Sequence, residues 1–464
     1  MFKKYPLIAG TILLTATGIL SRIIGFFYRI FLSQTIGEEG MGIYQLIAPV
    51  MALSFSITAA GIQTAISKFV APEPTSHDYK SSLRVLLVGF TISLSLSAIL
   101  GFFLFEYSFF IAKNFLLEER CSSLVRIFAL SLPFGSVHSC INGYYYGIKK
   151  TGLPAFTQLL EQGARVLSVY LIYSYCQSHG CEASIAISVV GIVIGEFVSM
   201  AVSAIAIFLR FNRLGFSLSP MSMPVCSHTG RLRTTACSIL SMAVPLSANR
   251  LVINGLQSVE AVYIPNKLMA FGLSNSEVLR IYGVLTGMVL PLILFPSALT
   301  SSIAVLILPY VSEAEAAGNN KKIANAVSKC LFFCLSLGFL CTAGFFLFGG
   351  WIGNILFHSQ IAGSFITSIS FICPFLYLRT VLSSILHGLG KTAQSFFFQI
   401  AGIGIKLLFV FYAIPIFGIK GYLWGLLVSE LLFCTLYLIA LKPYIYYNKN
   451  VLGRFHALKT ATYK

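Results

Sequence analysis

His387–Lys406 reads HGLGKTAQSFFFQIAGIGIK, and its GLGKT has the ending of a phosphate-binding loop. Such a loop also needs a glycine five places before Gly390, where the backbone turns around the phosphates, and Ile385 stands there. It should follow a buried strand, whereas this segment follows a long apolar run. A shift of 241 residues, from Tyr146 to His387, supplies a different origin. Tyr146–Arg165, YGIKKTGLPAFTQLLEQGAR, then lies over it without a gap. In the same frame Pro133 meets Pro374, Phe134 meets Phe375, Gly147 meets Gly388 and Lys150 meets Lys391. Thr151, Phe156, Gln158, Gly163, Leu167 and Val169 meet Thr392, Phe397, Gln399, Gly404, Leu408 and Val410. Chance gives about two or three identities over such a stretch, so the repeat is real. GLGKT is the second copy of a turn whose first copy, GIKKT, has no phosphate-loop shape.

Working outward, the 464 residues are 57% hydrophobic and only 10% charged. Soluble domains carry about 25% charged residues, so the composition argues for a polytopic membrane protein. Apolar runs long enough to cross the hydrocarbon layer recur at 7–32, 42–70, 85–110, 122–147, 153–175, 183–209, 237–262, 278–311, 323–348, 361–387, 394–417 and 419–441. The repeat assigns six runs to each copy, an even number, so both copies share one orientation. The expected fold is an all-α integral membrane protein of about twelve transmembrane helices in two six-helix lobes. A pseudo-two-fold axis along the membrane normal relates the lobes, with a substrate site near the midplane. The expected divisions are an N-terminal lobe 1–212, a cytoplasmic linker 213–236, a C-terminal lobe 237–443 and a basic cytoplasmic tail 444–464.

The formal charge of +17 would suggest nucleic acid for a soluble protein. Here the basic residues lie between the runs and follow the positive-inside pattern. With the N-terminus inside, the inner segments hold Lys3, Lys4, Lys149, Lys150, Arg231, Arg233, Lys321, Lys322 and the basic tail. The outer segments hold only Lys113, Arg120, Lys267 and Lys420. Both termini are therefore expected in the cytoplasm, and the protein in the cytoplasmic (inner) membrane. MFKK before an apolar run imitates a signal peptide, but the run is too long and Arg22 and Arg29 stand where a small-residue cleavage site would be wanted, so an uncleaved first helix is expected. Cys330, Cys334 and Cys373 lie inside runs and behave as small apolar residues. Cys176 and Cys181 share an outer loop, as a disulfide or as two free thiols. No His and Cys cluster has zinc spacing, and no nucleophile–base arrangement suggests an enzyme, a metal or a cofactor.

Arg22, Arg165, Arg250 and Lys406 fall near the middles of runs 1, 5, 7 and 11, where each costs about 2.5–3.5 kcal/mol to insert. Arg165 has carboxylate partners in Glu161, one turn back, and in Glu196 on the next run; Lys406 has Glu430. Arg22 and Arg250 have no carboxylate three or four places away. For these two a water-filled cavity is the better environment, and its surplus positive charge favours an anionic substrate. Arg29 and Lys267 extend the positive surface outward. Pro49, Pro133, Pro245, Pro291, Pro296 and Pro374 interrupt runs, as helices that bend during transport require.

SRIIGFFYRIFLSQTIGEEGMGIYQLIAPV (21–50), VYIPNKLMAFG (262–272), IYGVLTGMVLPLILFP (281–296) and PYVSEAEAAGN (309–319) resemble the stage V sporulation protein B and polysaccharide exporter branch of a flippase superfamily. Lipid II flippases, O-antigen flippases and multidrug antiporters belong to the same superfamily. The resemblance implies a V-shaped two-lobe transporter that flips undecaprenyl-pyrophosphate-linked saccharides outward as a monomer. It also implies cavity-facing cations at Arg22 of SRxxGF and at Lys267, where an arginine is usual. Tyr28 and Arg29 stand where the lipid II branch has Arg-Asp, and the chain is expected to stop at twelve helices, without the extra C-terminal helix pair of that branch. Two other functions compete. A proton- or sodium-coupled drug antiporter would use Glu196 or Glu430 as its ion site, and an accessory protein of envelope or spore assembly would transport nothing.

Overall fold

A computed structural model describes residues 6–71, 79–181, 184–213 and 229–461, and among these the chain is helical, with no strand. The N-terminal part holds α1 (Pro6–Leu46), α2 (Ala48–Phe55), α3 (Gly61–Val70), α4 (Tyr79–Glu106), α5 (Ser108–Phe110), α6 (Cys121–Ala129), α7 (Ser131–Gly147), α8 (Gly152–Ser178), α9 (Ala186–Arg213) and α10 (Thr229–Ala270). The C-terminal part holds α11 (Asn275–Gly283), α12 (Leu290–Leu294), α13 (Ser297–Ala316), α14 (Asn320–Phe357), α15 (Gln360–Ile369), α16 (Cys373–Gly388), α17 (Thr392–Leu408), α18 (Ile414–Phe417) and α19 (Ile419–Ala461). Most of the expected linker, 214–228, lies outside the described residues, as do Lys3 and Lys4.

Among the described residues ten helical stretches, several joining two or three of these elements, are long and apolar enough to cross a membrane, or eleven if the bent pair α6 and α7 is one span. The difference from about twelve has local causes. Runs 1 and 2 are continuous except at Gly37, whose φ of 73° breaks α1 in a conformation open mainly to glycine. Residues 278–311, expected as one crossing, fall into two stretches divided at Pro296, Asn275–Leu294 and Ser297–Ala316, that each qualify. Gly152–Ser178, which carries Glu161 and Arg165, is not among the qualifying helices.

The packing has the inverted pattern of a protein solvated by lipid. α14 buries Cys330, Cys334, Gly338, Gly349 and Gly353, and exposes Phe332, Phe339, Leu340, Leu347 and Trp351. Gly338 lies against Pro374, Gly349 against Thr367 and Gly353 against Gly363, so bare backbones approach while bulky side chains point outward. Lipid tails are as apolar as leucine, so close backbone packing rather than burial of large side chains drives such contacts. This is a multi-pass membrane protein.

Contacts divide the chain into two compact units, Met1–Val262 and Tyr263–Lys464. The boundary falls inside α10, because Ile239 and Ala243 belong to the core of the first unit with Ile62, Ile66, Val70, Cys140, Ile141 and Tyr144. Asn254 also reaches back, donating to Ser56 Oγ at 2.7 Å and to the Ala52 carbonyl at 3.3 Å. Ser56–Ala60 is a turn of π-helix between α2 and α3, and Ser93 donates to the Thr58 carbonyl within it. Side chains from other helices thus satisfy a locally loosened backbone. In the second unit, Val311, Ile323, Val327, Leu378, Val381, Leu382, Ile385, Leu386, Phe433 and Tyr437 form the core.

The 241-residue shift extends to tertiary contacts. Cys140, Ile141, Tyr144 and Tyr145 are buried on α7, and their equivalents Val381, Leu382, Ile385 and Leu386 are buried on α16. Gly147 sits against the Ser67 carbonyl and Val70, while Gly388 sits against the Leu308 carbonyl and Val311, the same positions one repeat later. A methyl group at Gly147 would lie 2.7 Å from the Ser67 oxygen, and one at Gly388 would lie 2.8 Å from that of Leu308. We expect Gly147→Ala and Gly388→Ala each to cost about 1–3 kcal/mol through overpacking, read as a lower unfolding temperature in detergent. Gly163→Ala, where nothing lies within 4 Å of the added carbon, is the neutral control.

Of the cysteines, Cys330, Cys334 and Cys373 are buried and free, as expected, and Cys176 and Cys181 are free thiols. Outside the spans, Arg120 bridges Glu118 at 2.7 Å and Glu39 at 2.6 Å, tying the loop before α6 to the α1 segment beyond Gly37. The Glu118 hydrogen bond, with that of Glu39, pushes the Arg120 pKa up and holds it charged.

Candidate functional site

In the first unit, α7, α8 and α9 bring a group of ionisable side chains together. Gly191 and Gly195, one turn apart on α9, lie against the backbone of α8. A carbon added at Gly195 would be 2.9 Å from the Glu161 carbonyl, and one at Gly191 would be 3.2 Å from that of Arg165. This close approach is what small residues spaced by four permit between membrane helices, and it sets Glu196 beside Glu161. Gly135 on α7 leaves room for the Glu196 carboxylate, whose Oε2 would be 3.3 Å from an added carbon.

Arg165 donates from Nη2 to Glu161 Oε1 at 2.8 Å, one helical turn apart, which is the pairing expected on α8. Opposite them, His138 Nδ1 faces Glu196 Oε2 at 3.8 Å. On the other side of the ring, His138 Nε2 meets Asn142 Nδ2 at 2.7 Å, Ser199 Oγ at 2.9 Å and Thr157 Oγ1 at 3.3 Å. One ligand atom each from His138, Glu161 and Glu196 lies within 4.8 Å of the others. One imidazole nitrogen and two carboxylates suit a proton or a small cation. Nothing in the spacing of His and Cys pointed to His138, although two signals were present: the GxxxG of Gly191–Gly195 directly before Glu196, and a histidine inside an apolar run.

The other N-terminal candidates have different surroundings. Arg29 on α1 is half-buried and shares the electrostatic surroundings of Tyr28, Tyr44 and Arg165. Phe31 packs on Tyr170 and Tyr173 of α8, which holds α1 against that helix. Arg22 on α1 and Arg250 on α10 are exposed. Asn249 and Gln257 are exposed on α10 as well, so polar groups occupy its surface along the middle of an apolar helix.

In the second unit, Glu430 accepts a hydrogen bond at 2.7 Å from Nη1 of Arg379, where the sequence offered Lys406 as its partner. Arg379 is the residue that the 241-residue shift places over His138, a signal legible once the repeat is known. Its guanidinium lies 3.8 Å from the ring centre of Phe433, and Phe433 fills the space beside Gly402, the equivalent of Glu161. Lys406 is half-buried on α17. Lys267 lies over the ring of Phe411 at 5.4 Å, and Tyr263 packs on the same ring. The candidate cations are therefore divided between the two units.

The pair on α8 carries a direct prediction. Arg165→Ala is expected to lower stability by about 2–3 kcal/mol, because it leaves two neighbouring carboxylates without their counter-charge. Adding Glu161→Gln should restore most of that loss. Unfolding midpoints of the two single variants and the double variant in detergent test it, and a purely additive double variant would exclude a structural pair.

Residues 7–315 match the family described as polysaccharide biosynthesis protein. Stage V sporulation protein B of Bacillus subtilis (strain 168) is 25% identical over 422 residues, covering 90% of this chain and 80% of that protein. Lipid II flippase MurJ of the same organism is 24% identical over 419 residues, covering 86% of this chain and 76% of that protein. The inward-facing structure of a multidrug resistance MATE family transporter of the MOP superfamily superposes with a TM-score of 0.64 at 15% identity, covering 94% of this chain and 98% of that one. That last likeness establishes the fold alone. With two thirds of its length matched by the family and relatives aligned along most of the remainder, this chain belongs to the polysaccharide biosynthesis protein family.

Proposed function

We propose that this protein is a flippase that carries an undecaprenyl-pyrophosphate-linked saccharide, a peptidoglycan precursor or polysaccharide unit, across the cytoplasmic membrane by alternating access. The observation that carries this reading is Arg250, exposed at the middle of α10 between exposed Asn249 and Gln257. Lipid does not solvate such a face, whereas a water-filled passage does. A pyrophosphate diester brings about two negative charges, which arginines hold through charge-assisted hydrogen bonds. Arg22 on α1 of the same unit is a second exposed cation, and the membrane potential or a coupling ion supplies direction. The positive-inside distribution favours both termini in the cytoplasm, and the relatedness to a lipid II flippase favours this substrate class. A drug antiporter that expels cations would prefer a negative passage.

The test is reconstitution. Vesicles holding the protein and a fluorescent undecaprenyl-pyrophosphate disaccharide are assayed for exposure of the saccharide to an external quencher. Exposure that depends on the protein and is unaffected by cationic dyes supports the proposal. Transport of a cationic dye with no movement of the lipid-linked saccharide would replace it with the antiporter, and movement of neither would leave the accessory role.

A further inference from the structure

We propose that His138, Glu161 and Glu196 form a proton-binding site inside the first unit, and that the proton shared by His138 and Glu196 is the coupling ion of transport. The coupling half rests on the flippase proposal; the binding half does not.

Charge comes first. With His138 neutral, Glu161, Arg165 and Glu196 together carry one surplus negative charge where α8 packs on the apolar span α9. One proton cancels it, which favours uptake at such a place. The groups that face Glu161 are Glu196 on α9, Arg165 on its own helix and His138 on α7. Arg29 and Tyr28 of α1 belong to the surroundings of Arg165. Among the described residues, α3, α4 and α6 also pack on α7 and bring no charged group to Glu161.

The hydrogen bonds show where the proton fits. An amide nitrogen only donates, so Asn142 Nδ2 at 2.7 Å makes His138 Nε2 the acceptor, and the neutral ring carries its hydrogen on Nδ1 toward Glu196. Two buried acceptors then have no hydrogen-bond partner, Glu196 Oε2 and Asn142 Oδ1, and Asn142 is only 8% exposed. A second ring proton satisfies both. A half-turn of the Asn142 amide presents Oδ1 to Nε2–H, and the imidazolium draws in Glu196 Oε2. The proton comes from water, and no other bond changes.

The second unit supplies the comparison from within the same chain. Where the first unit has His138, the repeat has Arg379, already ion-paired with Glu430 at 2.7 Å. Where the first has Glu161, the repeat has Gly402, with Phe433 in the vacated space. Where the first has Glu196, the repeat has Tyr437, and Glu430 reaches Arg379 from the position of Val189, so only the cation keeps its place and it does not titrate. The first unit has a version that loads and unloads.

The binding half is tested on the purified full chain in detergent, by infrared difference spectra between mildly alkaline and mildly acidic buffer. An imidazolium ring signal is expected in the wild type and should vanish in His138→Gln. In Glu196→Gln its midpoint should fall by about one pH unit, a tenfold loss of proton affinity. His138→Arg, copying Arg379, should stay folded and lose the signal, which keeps the test open if His138→Gln unfolds. A signal that survives in both His138→Gln and His138→Arg, or a midpoint that Glu196→Gln leaves unmoved, overturns the site. Abolition of wild-type proton uptake by sodium at constant pH overturns the proton in favour of a sodium ion. In vesicles, a pH gradient should accelerate flipping by the wild type and not by His138→Arg; equal acceleration of both overturns the coupling. A wild type that titrates as described but flips nothing sinks the flippase proposal and leaves the site standing. Flipping without the signal does the reverse.

Discussion

Arg250→Ala is expected to slow flipping of a lipid-linked pyrophosphate about 10- to 100-fold while leaving expression and membrane insertion unchanged. The side chain is exposed, so truncation opens no cavity and leaves no packed neighbour behind. What it removes is a charge-assisted hydrogen bond to the anionic head, worth about 1.5–3 kcal/mol, and that range sets the rate loss if the contact tightens as the head crosses. Arg22→Ala on α1, also exposed, should have the same sign. Arg250→Lys keeps the charge but loses the planar fork, so partial activity is expected. Initial rates in reconstituted vesicles, normalised to protein inserted, are the measurement. Normal rates in both alanine variants would remove the positively charged passage from consideration, whatever becomes of the fold.

Arg379→Ala should be the most destabilising single change among the charged residues, costing about 3–5 kcal/mol, because it strands Glu430 in a buried position. The Glu430 side chain is 7% exposed, against 16% for Glu161 in its pair with Arg165, so water relieves it less. The same truncation uncovers the Phe433 ring on which the guanidinium rests. Arg379→Leu combined with Glu430→Leu should recover most of the stability, since two apolar groups replace a pair that gains little over them. Thermal unfolding in detergent of the single and double variants gives the coupling energy directly. If the double variant loses the sum of the single losses, Arg379 and Glu430 act independently and the pair is not what holds α16 to α19.

These expectations differ in how far they were legible in advance. The membrane class, the repeat and the helical positions of Arg22, Arg250, Arg165 and Lys406 follow from hydropathy and alignment along the chain. The Arg165–Glu161 pair was legible because residues four apart on one helix must meet. The Glu430 partner was not, because it lies on another helix and its choice depends on how α16, α17 and α19 are rotated. His138 went unnoticed for the same reason. A histidine in an apolar run reads as a buried polar residue until α9 is seen to bring Glu196 to it.

The sequence by itself determined that this chain is helical, repeated and built to lie in a membrane. Those properties are sums over local composition: the bilayer admits only helices and closed barrels, and apolar runs of this length select helices. It also determined that the GLGKT turn binds no nucleotide, because the turn has a copy without that shape. Only the tertiary structure decided which buried charges share a site. In hydrocarbon the approach of two helices is set by a few small residues, here Gly191 and Gly195 of α9 against α8 and Gly402 under Phe433. A rotation of either helix by a fraction of a turn would give His138, Glu196, Arg379 and Glu430 different partners at almost no change in hydropathy.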